Sequence, residues 1–341
     1  MGLKRSRRVL RYSQVWECPA CGLSGAVVDH LDRGVYRFGP FDIPYPEGGR
    51  VPVNRCANCG LIYKGLVPDP ADLQSLFADV ASEVWTSHDY DYHSEREFVM
   101  RFIGNKSSID VLDIGSGEGG LLAAFDGIPG RRSALDVVRN DRCAQRVSGE
   151  YILQYLEDPL RWSGQTYDVV LAFDVMEHLY RAGIALFNLA LLTRPGGFLL
   201  IQTGNASYVR PPSRLRDWWY LNLFEHHMAW TPEALACAAE PWGLRLEYAQ
   251  VGPHKDSNHM PAWKRVGAGA LRALRHVPGA DRVSLALTSY DPKLVGEPGA
   301  DDHFTAVLRC DEKSDGCDQL VKFKRAELAS HFSASDSCNL R

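Results

Sequence analysis

Three groups of residues in this chain have types and spacings that could do chemistry. The first is Cys18-Pro-Ala-Cys21 with Cys56-Ala-Asn-Cys59, two CxxC pairs each followed by a glycine, Gly22 and Gly60. A CxxC turn lets both sulfurs face one ion, and the glycine relieves the tight corner. Four thiolates close a tetrahedral shell with no open position, so the pattern predicts a structural zinc held by Cys18, Cys21, Cys56 and Cys59. The 34 residues between the pairs exceed the usual separation of roughly 15 to 20. A redox CxxC would need no second pair, and Cys143, Cys237, Cys310, Cys317 and Cys338 form no pattern.

The second group is Val111-Leu112-Asp113-Ile114-Gly115-Ser116-Gly117-Glu118-Gly119-Gly120. Gly115, Gly117 and Gly120 satisfy GxGxxG at the end of an apolar run, and Asp136 follows on the next such run. This arrangement suits a dinucleotide such as NAD, or S-adenosylmethionine (AdoMet). A pyrophosphate on the loop would sit beside Glu118 and near Asp113, at a like-charge cost. AdoMet instead carries an ammonium and a sulfonium, which acidic neighbours suit. A carboxylate at Asp136 can accept from both ribose hydroxyls of either ligand. Tyr155-Leu156-Glu157-Asp158 is placed to bracket an adenine, and AdoMet is the expected ligand.

The third group is histidine: His178 in Phe173-Asp174-Val175-Met176-Glu177-His178-Leu179, and His226 in Phe224-Glu225-His226-His227. An imidazole with a pKa near about 6.5 can take a proton from a methyl acceptor that must lose one.

The elements that must position these groups are readable from composition and periodicity. The chain has 341 residues, 45% hydrophobic and 23% charged, which excludes collagen-like, coiled-coil and wholly disordered classes. Lys and Arg number 38 against 42 Asp and Glu, a net charge of −4 that disfavours dedicated nucleic-acid binding. No apolar stretch reaches the ~20 residues of a membrane span. The basic start, MGLKRSRRVLRYSQ, precedes no apolar signal region, so a cytoplasmic protein is expected. From about residue 109, strand-like runs (IDVLDIG, RSALDVV, EYILQYL, YDVVLAFDV, GGFLLIQTG, LRLEYAQVG and HFTAVLRC) alternate with helical patterns. That alternation predicts an α/β fold with a doubly wound, mostly parallel sheet. The expected organisation is a basic arm at 1–12, a zinc-binding unit at 13–65 and a helical connector at 66–108. The sheet domain then spans 109–310 with an insertion at 253–303, and a disordered tail occupies 311–341.

The order VLDIGSGEG, ALDVV, YLED, YDVVLAFDVMEHL and RPGGFLLIQT resembles the class I AdoMet-dependent methyltransferases through their core motifs. The four-cysteine unit, with RCANCGLIYKGLVPDP running into a helix, is similar to their zinc-ribbon-bearing branch, which includes sugar C-methyltransferases. The resemblance implies a seven-stranded Rossmann-like sheet whose last strand is antiparallel. It implies AdoMet contacts at Asp113, Gly115, Gly117, Asp136 and the Leu156-Glu157 turn, and general-base chemistry at Glu225-His226. Where those enzymes carry a further C-terminal domain, only residues 311–341 follow the last strand here. The expected reaction is therefore methyl transfer to a small-molecule acceptor (a sugar, nucleotide sugar or secondary metabolite) through carbon, oxygen or nitrogen.

Other readings follow from the same residues. Trp218, Trp219, Tyr220, Phe224 and Trp230 form either a substrate wall or ordinary core, and Arg210, Arg214 and Arg216 either meet an anionic substrate or lie in a solvated loop. An RNA methyltransferase would use the zinc unit and the Lys4-to-Arg11 arm on nucleic acid, and a non-catalytic scaffold would keep only the fold.

Overall fold

The computed structural model describes residues 6–32, 35–46, 49–84, 92–104, 106–160, 164–209, 212–252 and 302–311. The insertion expected at 253–303 and the tail at 311–341 lie almost wholly outside the described residues, as do Lys4 and Arg210.

The N-terminal part is built from short strands: β1 (Ser6–Arg7), β2 (Tyr12–Gln14), β3 (Gly25–Asp32), β4 (Val35–Phe38), β5 (Phe41–Pro44), β6 (Arg50–Cys56), β7 (Ile62–Lys64) and β8 (Leu66–Pro68). Two helices follow, α1 (Pro70–Val84) and α2 (His93–Ile103). The segment expected to be a solvated arm is tied down from Ser6 onward. Arg11 pairs with Asp72 at 2.8 Å and Arg8 with Asp79 at 3.1 Å, both on α1, while β1 runs parallel to β5. Arg8 and Arg11 thus have acidic partners of their own chain.

The second half follows as β9 (Val111–Ile114), α3 (Gly120–Ala123), β10 (Arg132–Asp136), α4 (Asp141–Arg146), β11 (Tyr151–Leu153), β12 (Tyr167–Phe173), α5 (Ala182–Leu192) and β13 (Thr193–Gly204). After these come α6 (Trp219–Asn222), β14 (Met228–Ala229), α7 (Pro232–Ala239), β15 (Leu244–Gly252) and β16 (His303–Cys310). The large sheet has the order β11-β10-β9-β12-β13-β16-β15. Strands β9 to β13 are parallel, and β16 is antiparallel to both its neighbours. Every residue of β12, Tyr-Asp-Val-Val-Leu-Ala-Phe, is buried, as a parallel strand covered on both faces requires. This is the seven-stranded sheet that the alternating pattern predicts.

The four-cysteine unit and the sheet share one core. Cys18, Ala20, Cys56, Cys59, Leu61 and Tyr63 pack in the same cluster as Leu112, Val170, Leu186 and Leu199. Helix α5 is apolar all round, because one side covers the sheet and the other meets the first cysteine knuckle. Gly183 donates its N–H to the Pro19 carbonyl at 3.0 Å, and a Cβ there would lie 2.4 Å from the Ala20 carbonyl oxygen. The segment after β13 returns to the zinc unit: β14 adds antiparallel to β7, giving a second sheet of order β14-β7-β6-β3.

Candidate active site

Backbone conformation builds the glycine turn. Strand β9 is wholly buried and ends at Gly115, whose φ of +66° is followed by +50° at Gly117 and +74° at Gly119. Glycine reaches this left-handed region without the strain a side chain brings. A Cβ on Gly115 would lie 2.6 Å from Val175 Cγ2, just past β12, whereas a Cβ on Gly117 would meet nothing within 4 Å. The turn thus packs tightly against the sheet on one side and opens to space on the other. Asp136, half-buried at the end of β10, accepts from the N–H of Gly117 at 2.9 Å and of Val138 at 3.1 Å. Burial pushes its carboxyl upward, opposed by those N–H groups. Asp113 is buried within β9. The ring of Tyr92, at the start of α2, lies against Gly120.

Two details differ from the expectation. Glu118 is bridged to Arg142 at 3.2 Å, which offsets the charge that argued against a pyrophosphate; Asp113 keeps that argument alive. Glu157 is buried and directs its carboxylate at the backbone N–H groups of Tyr180 (2.5 Å) and Arg181 (3.0 Å), ahead of α5. Leu156 is also buried, and its carbonyl accepts from Asn188 Nδ2 at 2.6 Å. These bonds fix the Leu156-Glu157 turn against the start of α5.

Both histidines expected from sequence meet at the carboxyl edge of the sheet. His178 closes a short 3₁₀ turn after β12, and its Nδ1 lies 3.0 Å from the carbonyl oxygen of Glu225. A carbonyl only accepts, so Nδ1 carries the proton and Nε2 the lone pair when this ring is neutral. His226 arrives after α6, with its ring centroid 4.7 Å from His178 and 4.1 Å from Tyr220. Glu177, which the expectation passed over, is the carboxylate grouped with them: one ligand atom from each of Glu177, His178 and His226 lies within 4.8 Å of the others. Thr203 donates to Glu177 at 2.8 Å and thereby orients it. Glu225 is buried, and its Oε2 has no hydrogen-bond partner among the described residues. Burial holds the His226 and His227 imidazoles well below their usual range and pushes the Glu177 and Glu225 carboxyls up. A neutral imidazole that keeps its lone pair at neutral pH is what a base requires.

The aromatic residues divide. Trp218, Tyr220, Phe224 and Trp230 are buried and form core, while Trp219 is partly exposed and donates to Asp302 at 3.1 Å. Arg216 is tied to buried Asp29, and Arg214 pairs with Asp217 at 3.9 Å, so neither stands as an anion contact. Sequence reasoning also missed Asp174, whose φ of +57° at the end of β12 is the one positive value among described non-glycine residues. It missed His303 as well, which meets Asp302 at 3.1 Å. A cleft beside these groups is lined by Ser94, Glu95, Phe173, Gln202, His303 and Thr305.

At the zinc unit, Cys18 Sγ and Cys59 Sγ lie 3.5 Å apart and Cys21 Sγ and Cys56 Sγ 3.4 Å apart; all four sulfurs fall within 4.8 Å of one another. The knuckles are alike: Gly22 N–H donates to Cys18 O at 2.9 Å and Gly60 N–H to Cys56 O at 3.1 Å. Both glycines have positive φ, +73° and +79°.

The sheet order, its single antiparallel strand and the glycine turn at the end of the first parallel strand are those of the class I methyltransferase fold. Residues 88–249 match the family described as a methyltransferase domain. Among curated proteins, the chain is similar to the ubiquinone biosynthesis O-methyltransferase of Vibrio atlanticus (strain LGP32), 26% identical over 154 residues, 41% of this chain and 64% of that protein. The protein of the same name from Rhodopseudomonas palustris (strain BisB18) is 24% identical over 189 residues, 53% of this chain and 66% of that protein. The chain thus spans slightly under two-thirds of these relatives. In fold it is similar to the [4+2]-cyclase SpnF, with a TM-score of 0.51 and 12% identity over 72% of this chain and 98% of that one.

Among the described residues no helix is long and apolar enough to cross a membrane.

Proposed function

We propose that this protein transfers the methyl group of AdoMet to a small-molecule acceptor, with a hydroxyl as the favoured accepting group and a structural zinc shaping the acceptor side. The observation that carries the proposal is the convergence of His178 and His226, from different elements, at the edge of the sheet that also holds the open glycine turn. The fold by itself would not decide the reaction, because the similar SpnF structure is titled a cyclase. The curated relatives are named O-methyltransferases, which favours oxygen in a sugar, nucleotide sugar or other secondary metabolite.

AdoMet, when bound, supplies a methyl carbon already activated by its sulfonium. The residues suited to hold it are Asp136 for the ribose hydroxyls, Gly115 and Gly117 for close backbone approach, and Asp113 for positive charge. Much of the acceleration of an in-line displacement comes from alignment. What the chain must add is removal of the acceptor proton. His226, kept neutral by burial, takes it, with His178 beside it and Glu225 and Glu177 setting the local charge. The cleft between α2 and β13 is where the acceptor would lie. Cys18, Cys21, Cys56 and Cys59 have the separations a tetrahedral zinc requires and no room for a substrate ligand, so the ion's role is to hold β7 and the first knuckle in place.

The deciding experiment is calorimetry of the zinc-loaded protein against S-adenosylhomocysteine, with NAD as control, followed by an acceptor screen beginning with nucleotide sugars. Micromolar binding of the homocysteine compound alone is expected; binding of NAD instead would overturn the reading.

A further inference from the structure

Lys64, the last residue of β7, is buried, an expensive place for an ammonium that an apolar residue could occupy. It touches the base-bearing segment twice. Its backbone N–H donates to the His227 carbonyl at 2.8 Å, and its Nζ donates to the Leu223 carbonyl at 2.6 Å. The Leu223 carbonyl is also the one on which the His226 N–H closes, at 3.2 Å. On the far side the segment is held by His227 N–H to the Glu177 carbonyl at 2.7 Å and by His178 Nδ1 at the Glu225 carbonyl. One residue of the zinc unit therefore spans the turn that presents Glu225 and His226, gripping it just before and just after the pair.

We infer that Lys64 is a positioning residue for the acceptor base: it clamps residues 223–227 from the four-cysteine side through its backbone N–H and its Nζ. This rests on the function proposed above. The titratable and charged groups that face the ammonium are Glu225, His226 and His227 on the clamped segment, with Glu177 and His178 behind them and Tyr36 beside Glu225. A carboxylate buried without a protein donor on Oε2 gains most from a cation nearby. Burial draws Lys64 itself down to about 7, against the upward pull of Glu225, and its amine keeps N–H donors for the Leu223 carbonyl in either protonation state. The zinc knuckle on the chain just before β7 is thereby linked to the base through a single side chain.

The test is hydrogen exchange on the full-length, zinc-loaded chain with S-adenosylhomocysteine as the only ligand, comparing wild type, Lys64→Met and Lys64→Arg. Lys64→Met keeps the stem and removes the ammonium. Exchange in peptides covering residues 222–230 should rise about tenfold or more, while β12 and ligand affinity stay within about twofold. Lys64→Arg keeps a cation and should restore protection to within about threefold. Unchanged exchange in Lys64→Met, or a rise spread evenly over the whole chain, overturns the clamp. Should Lys64→Met fail to accumulate, Lys64→Arg decides: protection of residues 222–230 lost beyond about threefold while the rest of the chain is unchanged supports the clamp only if Lys64→Gln loses more, and equal exchange in Lys64→Gln and wild type overturns it. Failure of every form to bind S-adenosylhomocysteine would overturn the methyltransferase reading instead, and exchange would still report on the clamp because it needs no turnover.

Discussion

His178 and His226 stand 48 positions apart in the chain, yet their rings meet edge-on at 4.7 Å between centroids, with planes 85° apart. Two side chains that sequence presents as rival bases are neighbours in one cluster, so each conditions the other. With an acceptor in hand, His226→Gln should lower kcat about a hundredfold or more and leave S-adenosylhomocysteine affinity unchanged. His178→Gln should have a smaller effect, since its Nδ1 is already engaged by the Glu225 carbonyl. Steady-state kinetics beside calorimetry separates the two roles, and equal loss of binding in both variants would count against a base.

Asp136 anchors the glycine turn through Gly117, and in the proposed function it also holds the ribose hydroxyls. Asp136→Ala should weaken S-adenosylhomocysteine binding about tenfold or more, read by calorimetry, because the Gly117 N–H loses its acceptor and the ligand loses one too.

The four thiolates sit within the main hydrophobic cluster, so metal loss should not stay local. Cys56→Ser should lower bound zinc from one equivalent per chain and cost more than about 3 kcal/mol of stability. Metal analysis and thermal unfolding of the same sample check both halves; a variant that loses zinc at unchanged stability would contradict the shared core.

Docking of the first knuckle on α5 depends on a missing side chain. Gly183→Ala would drive a Cβ against the Ala20 carbonyl oxygen at 2.4 Å and should cost about 1–3 kcal/mol. Gly252→Ala, which meets nothing within 4 Å, is the control and should change stability by less than about 0.5 kcal/mol in denaturant unfolding.

His227 is buried and held well below its usual range by burial, with Lys64 and His178 adding to the effect. The unfolded chain takes a proton at this residue near about pH 6.5, while the folded chain does not. Its contribution to stability is therefore present above about pH 6.5 and lost as pH falls below it, with a slope of up to about 1.4 kcal/mol per pH unit. The difference in unfolding free energy between wild type and His227→Gln, measured from pH 7.5 down to about 5, isolates that one group from the buried carboxyls that titrate in the opposite sense.

The core strands were legible because β9 and β12 are covered on both faces, and such strands appear in sequence as unbroken apolar runs. The cysteine pairs and the glycine turn were legible because their chemistry depends on local spacing. Less visible was the role of the Glu157 carboxylate, which accepts from the N–H groups of Tyr180 and Arg181 more than twenty positions away. The aromatic run was ambiguous because an aromatic side chain suits a core and a sugar face equally, and only burial separates Trp218 from Trp219.

By itself, the amino-acid sequence determined the parallel sheet, the thiolate set and the glycine-turn chemistry, all of which arise from periodicity or from residues only a few positions apart. Tertiary structure alone decided that Glu177 joins His178 and His226, that Arg216 belongs to Asp29, and that Lys64 bonds the Leu223 and His227 carbonyls on either side of Glu225-His226. Those pairings join side chains dozens to nearly two hundred positions apart. The physical reason is that such partners are selected by which buried charge or hydrogen-bonding group needs another once the core has closed, and no local pattern in the chain encodes that need.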